Sequence, residues 1–373
     1  MKLGLVIYGS LDTVSGGYLY DRKLVEYLRS QGDTVELISL PWRNYAAHLM
    51  DNFWFRLWSP GARSWNLRQQ VSPRRHDDAA RLQNLDILIQ DELNHPSLIF
   101  ANRGKHPYPI ISLVHHLRCS ELRPNWQNDF YRLIEKKYLQ SVDGFILNSR
   151  TTEKVVNSLI ENRKPSIVAY PPTDRFGEPI SEEDILSRAQ NSPLRILFLG
   201  NVIYRKGLHT LLKAISVQPS AFQLHVVGSL TSEPAYAKLI KEFIVQKDLS
   251  SLVFLQGSLD REPLVEHLRK AHVLVVPSSY EGFGIVYLEG MCFGLPAIGT
   301  TAGAAGEVIE HGRTGYLIAP DDSESLAAHL GSLAQDRALL ARLSLNARER
   351  YLRQPSWEET ARSIRQFLYT MAK

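Results

Sequence analysis

Val273-Leu274-Val275-Val276-Pro277-Ser278-Ser279-Tyr280-Glu281-Gly282-Phe283-Gly284-Ile285-Val286-Tyr287-Leu288-Glu289 reads as a strand, a loop and the start of a helix. Four consecutive aliphatic residues suit a strand buried on both faces, because a half-wet strand alternates with polar residues. Pro277 cannot continue a sheet ladder, and Gly282 and Gly284 allow the backbone to turn. A strand leaving through a loop into a helix is half of a βαβ unit. The polar residues of the loop then stand at the carboxyl end of the strand, where open α/β sheets bind their ligands.

The same rhythm extends outward from this stretch. Towards the C-terminus the apolar runs are Pro296–Gly299 and Tyr316–Ile318, and towards the N-terminus Val253–Leu255, Leu224–Val227 and Leu194–Leu199. Helical patterns at Gly207–Val217, Pro234–Gln246 and Arg261–Ala271 separate them. Residues 173–193 are polar and read as irregular or loosely helical, after the break at Pro171-Pro172. Before that break a second series runs Leu3–Tyr8, Val35–Leu40, Leu85–Ile89, Ile110–Val114, Gly144–Leu147 and Ile167–Tyr170, with helices at Tyr18–Ser30, Asp129–Gln140 and Thr151–Glu161. The spacing predicts an α/β chain of two doubly wound, Rossmann-like domains, 1–172 and 173–356, facing across a cleft. An amphipathic helix, Trp357–Met371, follows Pro355 and is expected to turn back to the first domain, so that 357–373 joins it.

The composition fits two soluble domains: 373 residues, 44% apolar and 22% charged, with two cysteines, Cys119 and Cys292, both in apolar surroundings. That excludes a disulfide framework, and Cys/His zinc spacings are absent. The first apolar run is short and ends at Gly9, unlike a secretory leader, and no run reaches about 18 apolar residues, so a cytoplasmic protein is expected. The net charge of +4 is uneven, with +5 in residues 1–172 and −1 in 173–373. A basic first half suits anionic lipid, phosphorylated substrates or nucleic acid, and charge alone does not choose.

No G-x-G-x-x-G follows a strand and no P-loop occurs, against dinucleotide dehydrogenases and P-loop NTPases. There is no D-x-D to clamp a divalent ion, so no metal site is indicated. Arg205 and Lys206 stand ahead of a helix, at the positive end of its dipole. A phosphate between them and the helix N–H groups would explain the placement, and two solvated loop charges would be the alternative. Gly16 and Gly17, between the first strand and its helix, let backbone N–H groups approach an anion or simply make a tight turn. Glu281 and Glu289 are eight residues apart, the first in the loop and the second two turns on, so both can face one elongated ligand. Carboxylates accept from paired hydroxyls, as on a sugar or ribose. Glu289, among Val286, Leu288, Met291 and Phe293, would be a costly buried charge without a partner.

E-G-F-G-x-x-x-x-E, with Arg205-Lys206-Gly207 upstream and Gly303-Ala304-Ala305-Gly306-Glu307 downstream, resembles the retaining nucleotide-sugar glycosyltransferases of the family-four type. The resemblance covers nearly all of the second domain and is weaker in the first. It implies the GT-B architecture, with a metal-independent active site between two Rossmann-like domains and no cofactor. A sugar would pass from a nucleotide diphosphate donor to a glycan, lipid-linked or small-molecule acceptor, and nucleic acid is not an expected partner. It implies a donor diphosphate clamp at Arg205 and Lys206, with Gly16 and Gly17 near the diphosphate. Glu281, with the backbone at Phe283 and Gly284, would hold the donor sugar, and Glu289 the ribose diol. His115 in Val114-His115-His116-Leu117 matches the strand-end histidine beside the donor sugar, while the adjacent His116 leaves the register open. Asn201 stands where the family often has arginine, and Gly303-Ala304 where it has Gly-Gly. A nucleotide-sugar epimerase or hydrolase, or a non-catalytic sugar-nucleotide binder, is the alternative reading.

Residues 41–75 hold seven aromatics (Trp42, Tyr45, Phe53, Trp54, Phe55, Trp58 and Trp65) and six arginines against Asp51 alone. Two readings are open: peripheral contact with a membrane or a lipid-linked acceptor, and an aromatic helix packed within the domain.

Overall fold

The computed structural model describes residues 1–13, 15–54, 84–172 and 174–372, without the side chains of Phe53 and Trp54. The aromatic residues Phe55, Trp58 and Trp65, and Arg56, Arg63, Arg68 and Arg74 of the basic segment, lie outside the described residues.

The chain folds into two units, Met1–Pro171 with Pro355–Lys373, and Pro172–Gln354. The divisions fall at Pro171/Pro172 and Gln354/Pro355, one and two residues before the boundaries expected from the sequence. In the first unit the strands are β1 (Lys2–Tyr8), β2 (Thr34–Leu40), β3 (Ile87–Asp91), β4 (Ile110–Val114), β5 (Gly144–Leu147) and β6 (Ser166–Val168). Helices α1 (Gly16–Ser30), α2 (Tyr45–Trp54), α3 (His95–Leu98), α4 (Asn125–Leu139) and α5 (Arg150–Leu159) alternate with them. The sheet order is β2-β1-β3-β4-β5-β6, all parallel. Its direction of growth reverses between β1 and β3.

Period-two alternation explains why these strands read as unbroken apolar runs. Leu3, Leu5 and Ile7 of β1 and Ile111 and Leu113 of β4 join the core on one face. Val6, Tyr8, Ile110 and Val114 join the core on the other. The first of these cores also takes Leu24, Val25 and Leu28 of α1, and Ala361, Ile364 and Leu368 from the end of the chain.

In the second unit β7 (Leu194–Leu199), β8 (Phe222–Val227), β9 (Val253–Gly257), β10 (Val273–Val275), β11 (Ala297–Thr300) and β12 (Gly315–Ile318) form a parallel sheet of order β12-β11-β10-β7-β8-β9. Renumbered within the unit, this is the order 3-2-1-4-5-6 of dinucleotide-binding folds, with its switch point between β7 and β10. Helices α6 (Glu182–Ala189), α7 (Leu208–Ile215), α8 (Pro234–Gln246), α9 (Arg261–Lys270), α10 (Ile285–Cys292), α11 (Ser323–Gln335) and α12 (Arg337–Leu352) complete it. The last helix, α13 (Trp357–Met371), belongs to the first unit; Ser356 and Glu359 form a capping box at its start.

The segment after Pro172 is more ordered than its polarity suggests. Ser181 caps α6, Ile180 N–H donates to Cys292 O at 3.0 Å, and Arg188 Nη2 donates to Gly294 O at 3.1 Å. A handful of buried contacts, among them the fully buried Ile185, anchors an otherwise charged stretch. Of the aromatic segment near residue 41, Asp51 is buried and pairs with Arg43 at 2.6 Å, and Trp42 is exposed. Both cysteines are buried and free. Among the described residues no helix is long and apolar enough to cross a membrane.

Candidate active site

At the switch point of the second sheet, two loops meet. Tyr204–Lys206 forms a 3-10 turn ended by Gly207 at φ +70°, and a Cβ on Gly207 would lie 2.1 Å from Pro277 O. Only glycine allows this approach of the loop after β7 to the loop after β10. Ser279 N–H donates to Arg205 O at 2.8 Å, and Arg205 Nη1 donates to Tyr280 O at 2.8 Å. Lys206 Nζ lies 2.5 Å from Glu281 Oε1, and Ser278 Oγ donates to the same oxygen at 2.6 Å. The two cations are therefore not solvated loop charges.

Glu281 is held from the other side too. Its carbonyl accepts from Ala304 N–H at 2.8 Å, and Gly303, at φ +82°, leaves no room for a Cβ against Glu281 O. Alanine at position 304 thus preserves the close backbone approach. Burial pushes the Glu281 carboxyl up, but Lys206, Arg205 and the Ser278 hydroxyl outweigh it and hold it below the usual carboxylate range. The Lys206 ammonium is pulled down by burial and by Arg205, against Glu281.

Phe283 is buried, and Gly284 begins α10 at φ +89°. A Cβ there would lie 2.5 Å from the ring of Tyr287, whose hydroxyl donates to Val276 O at 2.8 Å. Glu289, only 7% exposed, does not join the Lys206 pair: its Oε1 accepts from Arg175 Nη1 at 3.0 Å. Burial raises its carboxyl above the usual range despite Arg175. Sequence reasoning missed Arg175. The signal was the buried Glu289 itself, which required a cation from some other part of the chain. Asn201, where the family often has arginine, accepts from Ser229 N–H at 3.2 Å and holds the loop.

The first unit has its own locus at the β1/β3 switch point. Gly16 and Gly17 are the first two residues of α1, capped by Ser15, rather than a loop ahead of a helix starting at Tyr18. A Cβ on Gly17 would lie 3.2 Å from His115 Cδ2. His115 follows β4, and its Nε2 lies 3.0 Å from Oδ1 of the fully buried Asp21. Asp91, at the end of β3, is also buried. Burial alone would lower the imidazolium pKa; Asp21, Asp91 and Glu92 raise it instead to about 9. Burial and Asp21 push the Asp91 carboxyl well above its usual range. His116 points elsewhere and pairs with Glu121 at 2.8 Å, so His115 is the histidine packed on the glycine turn.

Among the described residues of this unit, two triads bring ligand atoms within 4.8 Å, Asp21/Asp91/His115 and Glu92/His95/Glu135. In the second, His95 Nδ1 lies 2.9 Å from Glu92 Oε1, and Glu135 accepts from Arg118 and Cys119 N–H at 2.6 and 3.1 Å. That triad braces the turn after β4.

Two doubly wound parallel domains, each with polar residues at its switch point, define the GT-B class of glycosyltransferase folds. Solved structures agree over the whole chain. Sucrose-phosphate synthase from Thermosynechococcus elongatus superposes with a TM-score of 0.77 at 20% identity, covering 99% of this chain and 98% of that one. Anabaena HepE in complex with UDP gives 0.75 at 19%, covering 99% and 100%. Residues 182–350, which lie within the second unit, match the family model of glycosyl transferases group 1. Among curated relatives, glycogen synthase of Mycobacterium tuberculosis is 32% identical over 189 residues, 50% of this chain and 44% of its own length. D-rhamnosyltransferase WbpZ of Pseudomonas aeruginosa is 28% identical over 261 residues, 66% and 67% of the two chains. The match thus spans less than half of the glycogen synthase.

Proposed function

We propose that the chain is a retaining, metal-independent glycosyltransferase, moving a sugar from a nucleotide diphosphate to an acceptor hydroxyl. The observation that carries this reading is the pairing of Lys206 with the buried Glu281 at the second switch point, with Arg205 beside it. A cation pair faces the leaving diphosphate, and a carboxylate at the same spot accepts from sugar hydroxyls. The group 1 family match over this unit supports the reading, as do the UDP and UDP-glucose complexes of the structurally similar Anabaena protein.

In this reaction the bond from the anomeric carbon to the diphosphate oxygen breaks, and a bond to the acceptor oxygen forms on the same face. The acceptor proton passes to the departing diphosphate. Lys206 and Arg205 stabilise the charge that develops there. Glu289, with Arg175 fixing one oxygen, has its other oxygen for the ribose diol. His115, with Gly16 and Gly17 behind it, would contact the sugar. An imidazolium donates from both nitrogens, so with Nε2 on Asp21 its Nδ1–H is the group offered to a sugar oxygen.

Nucleoside diphosphate release, assayed with and without acceptor, tests this reading. Release that depends on acceptor supports a transferase, acceptor-independent release a hydrolase, and binding without release a sugar-nucleotide binder. Turnover is expected to persist in excess EDTA. Loss in EDTA with recovery on Mn²⁺ would overturn metal independence and direct attention to Asp21, Asp91 and His115.

A further inference from the structure

Helix α4 carries its apolar residues on the wrong side. Glu135, Tyr138 and Leu139 face the interior and are buried. On the opposite face Trp126, Phe130 and Leu133 follow one another at i, i+4 and i+7, with 70%, 44% and 52% of their surface exposed. Leu122, just ahead of the helix, is 60% exposed. An outward helix face ordinarily carries charge, so a row of large apolar side chains marks a surface with a partner.

The charges around the row indicate which partner. Lys137 extends the same row at i+11 from Trp126 and has no ion-pair partner among the described residues. Arg132 and Lys136 flank it on α4, and Arg118 and Arg123 lie over the Tyr131 ring at 4.9 and 5.2 Å. The acids nearby, Glu121, Asp129 and Glu161, are engaged by Arg123 at 2.6 Å, Arg132 at 3.7 Å and Lys136 at 3.1 Å, so the excess positive charge rests on Lys137 and Arg118. Phe130 packs edge-on against Tyr45 of α2 at 6.4 Å, so the row is continuous with a fixed aromatic cluster.

We infer that this face of α4 docks the chain on an anionic lipid bilayer. Trp and Phe seat at the headgroup level, Leu reaches the acyl boundary, and the lysine and arginines meet lipid phosphates. A second copy of the chain fits less well. The exposed parts of Trp126 and Phe130 offer roughly 300 Å², and the two leucines add less than that. A stable protein interface takes about 800 Å² from each partner. A bilayer needs only a few inserted side chains and attracts the cations besides. The proposal is independent of the sugar transferred.

The test is co-sedimentation of the full chain with phosphatidylcholine vesicles, with and without about 30 mol% phosphatidylglycerol, at low and high salt. Wild type is expected on the anionic vesicles at low salt and largely in the supernatant at high salt. The triple change Trp126→Ser, Phe130→Ser and Leu133→Ser, all at exposed positions, should lower the bound fraction by about tenfold with an unchanged thermal midpoint. Lys137→Glu should weaken binding on anionic vesicles alone. Wild type that ignores anionic vesicles, or a triple variant that binds as wild type does, overturns the proposal. So does light scattering that shows a dimer abolished by the triple change, since the row would then belong to a second copy.

Discussion

Lys206 and Glu281 cannot be changed independently, because each neutralises the other where water is scarce. Lys206→Ala removes a charge-assisted contact worth about 1.5–3 kcal/mol, so nucleoside-diphosphate affinity should fall by roughly 10- to 150-fold in calorimetry. Unchanged affinity would remove Lys206 from the diphosphate. Position alone suggests that Glu281→Gln leaves nucleoside-diphosphate binding untouched while lowering turnover. The ion pair sharpens that expectation: a neutral glutamine no longer competes for Lys206, so affinity should hold or tighten as turnover drops. Glu289→Gln behaves oppositely, weakening nucleoside diphosphate without its sugar, if Glu289 takes the ribose. Equal losses from both changes would refute the division.

At the scale of elements, α1 and the ends of β3 and β4 together hold one partly buried imidazolium. His115 titrates near 9 against an ordinary 6.5, so its pairing stabilises the fold fully below the unfolded value. That contribution fades above it and is gone once the pH passes the folded value. Asp91, raised by burial and Asp21, acts in the same sense, since its proton is bound more tightly in the folded state. Comparing wild type with His115→Gln in urea, the stability gap should be widest below about pH 6 and shrink from about pH 6.5 to about pH 9. A gap that widens with pH would show that His115 is neutral in the fold. None of this was visible in Val114-His115-His116-Leu117, which shows a histidine at a strand end and nothing of the carboxylates. Asp21 and Asp91 are 70 residues apart in sequence and meet only because β1 and β3 are neighbours in the sheet.

At the scale of the whole molecule, the chain leaves its first unit at Pro171 and returns to it at Pro355. The return is paid back in apolar contact: Ala361, Ile364 and Leu368 of α13 sit in the same core as Leu24 and Leu28 of α1. Leu368→Ala should therefore cost about 2–5 kcal/mol. Hydrogen exchange should show the loss in β1, α1 and α13, with the strands of Pro172–Gln354 unchanged. Uniform loss across both units would mean that they unfold as one.

Much of this architecture is legible in the residues. Parallel strands buried on both faces are apolar at most positions, and the linking helices are amphipathic, so the residues themselves place each strand to within a residue or two. Within Glu281-Gly282-Phe283-Gly284 the demand at Gly284 is equally local, since its positive φ and the Tyr287 ring three residues on leave no room for a side chain. Partners are different. That Lys206 meets Glu281, that Arg175 answers Glu289, that Asp21 charges His115 and that α4 turns Trp126 outward were decided by tertiary structure alone. Composition and periodicity record what one residue needs from its neighbours along the chain, whereas an ion pair or an exposed face depends on which distant segment the folded sheet brings alongside.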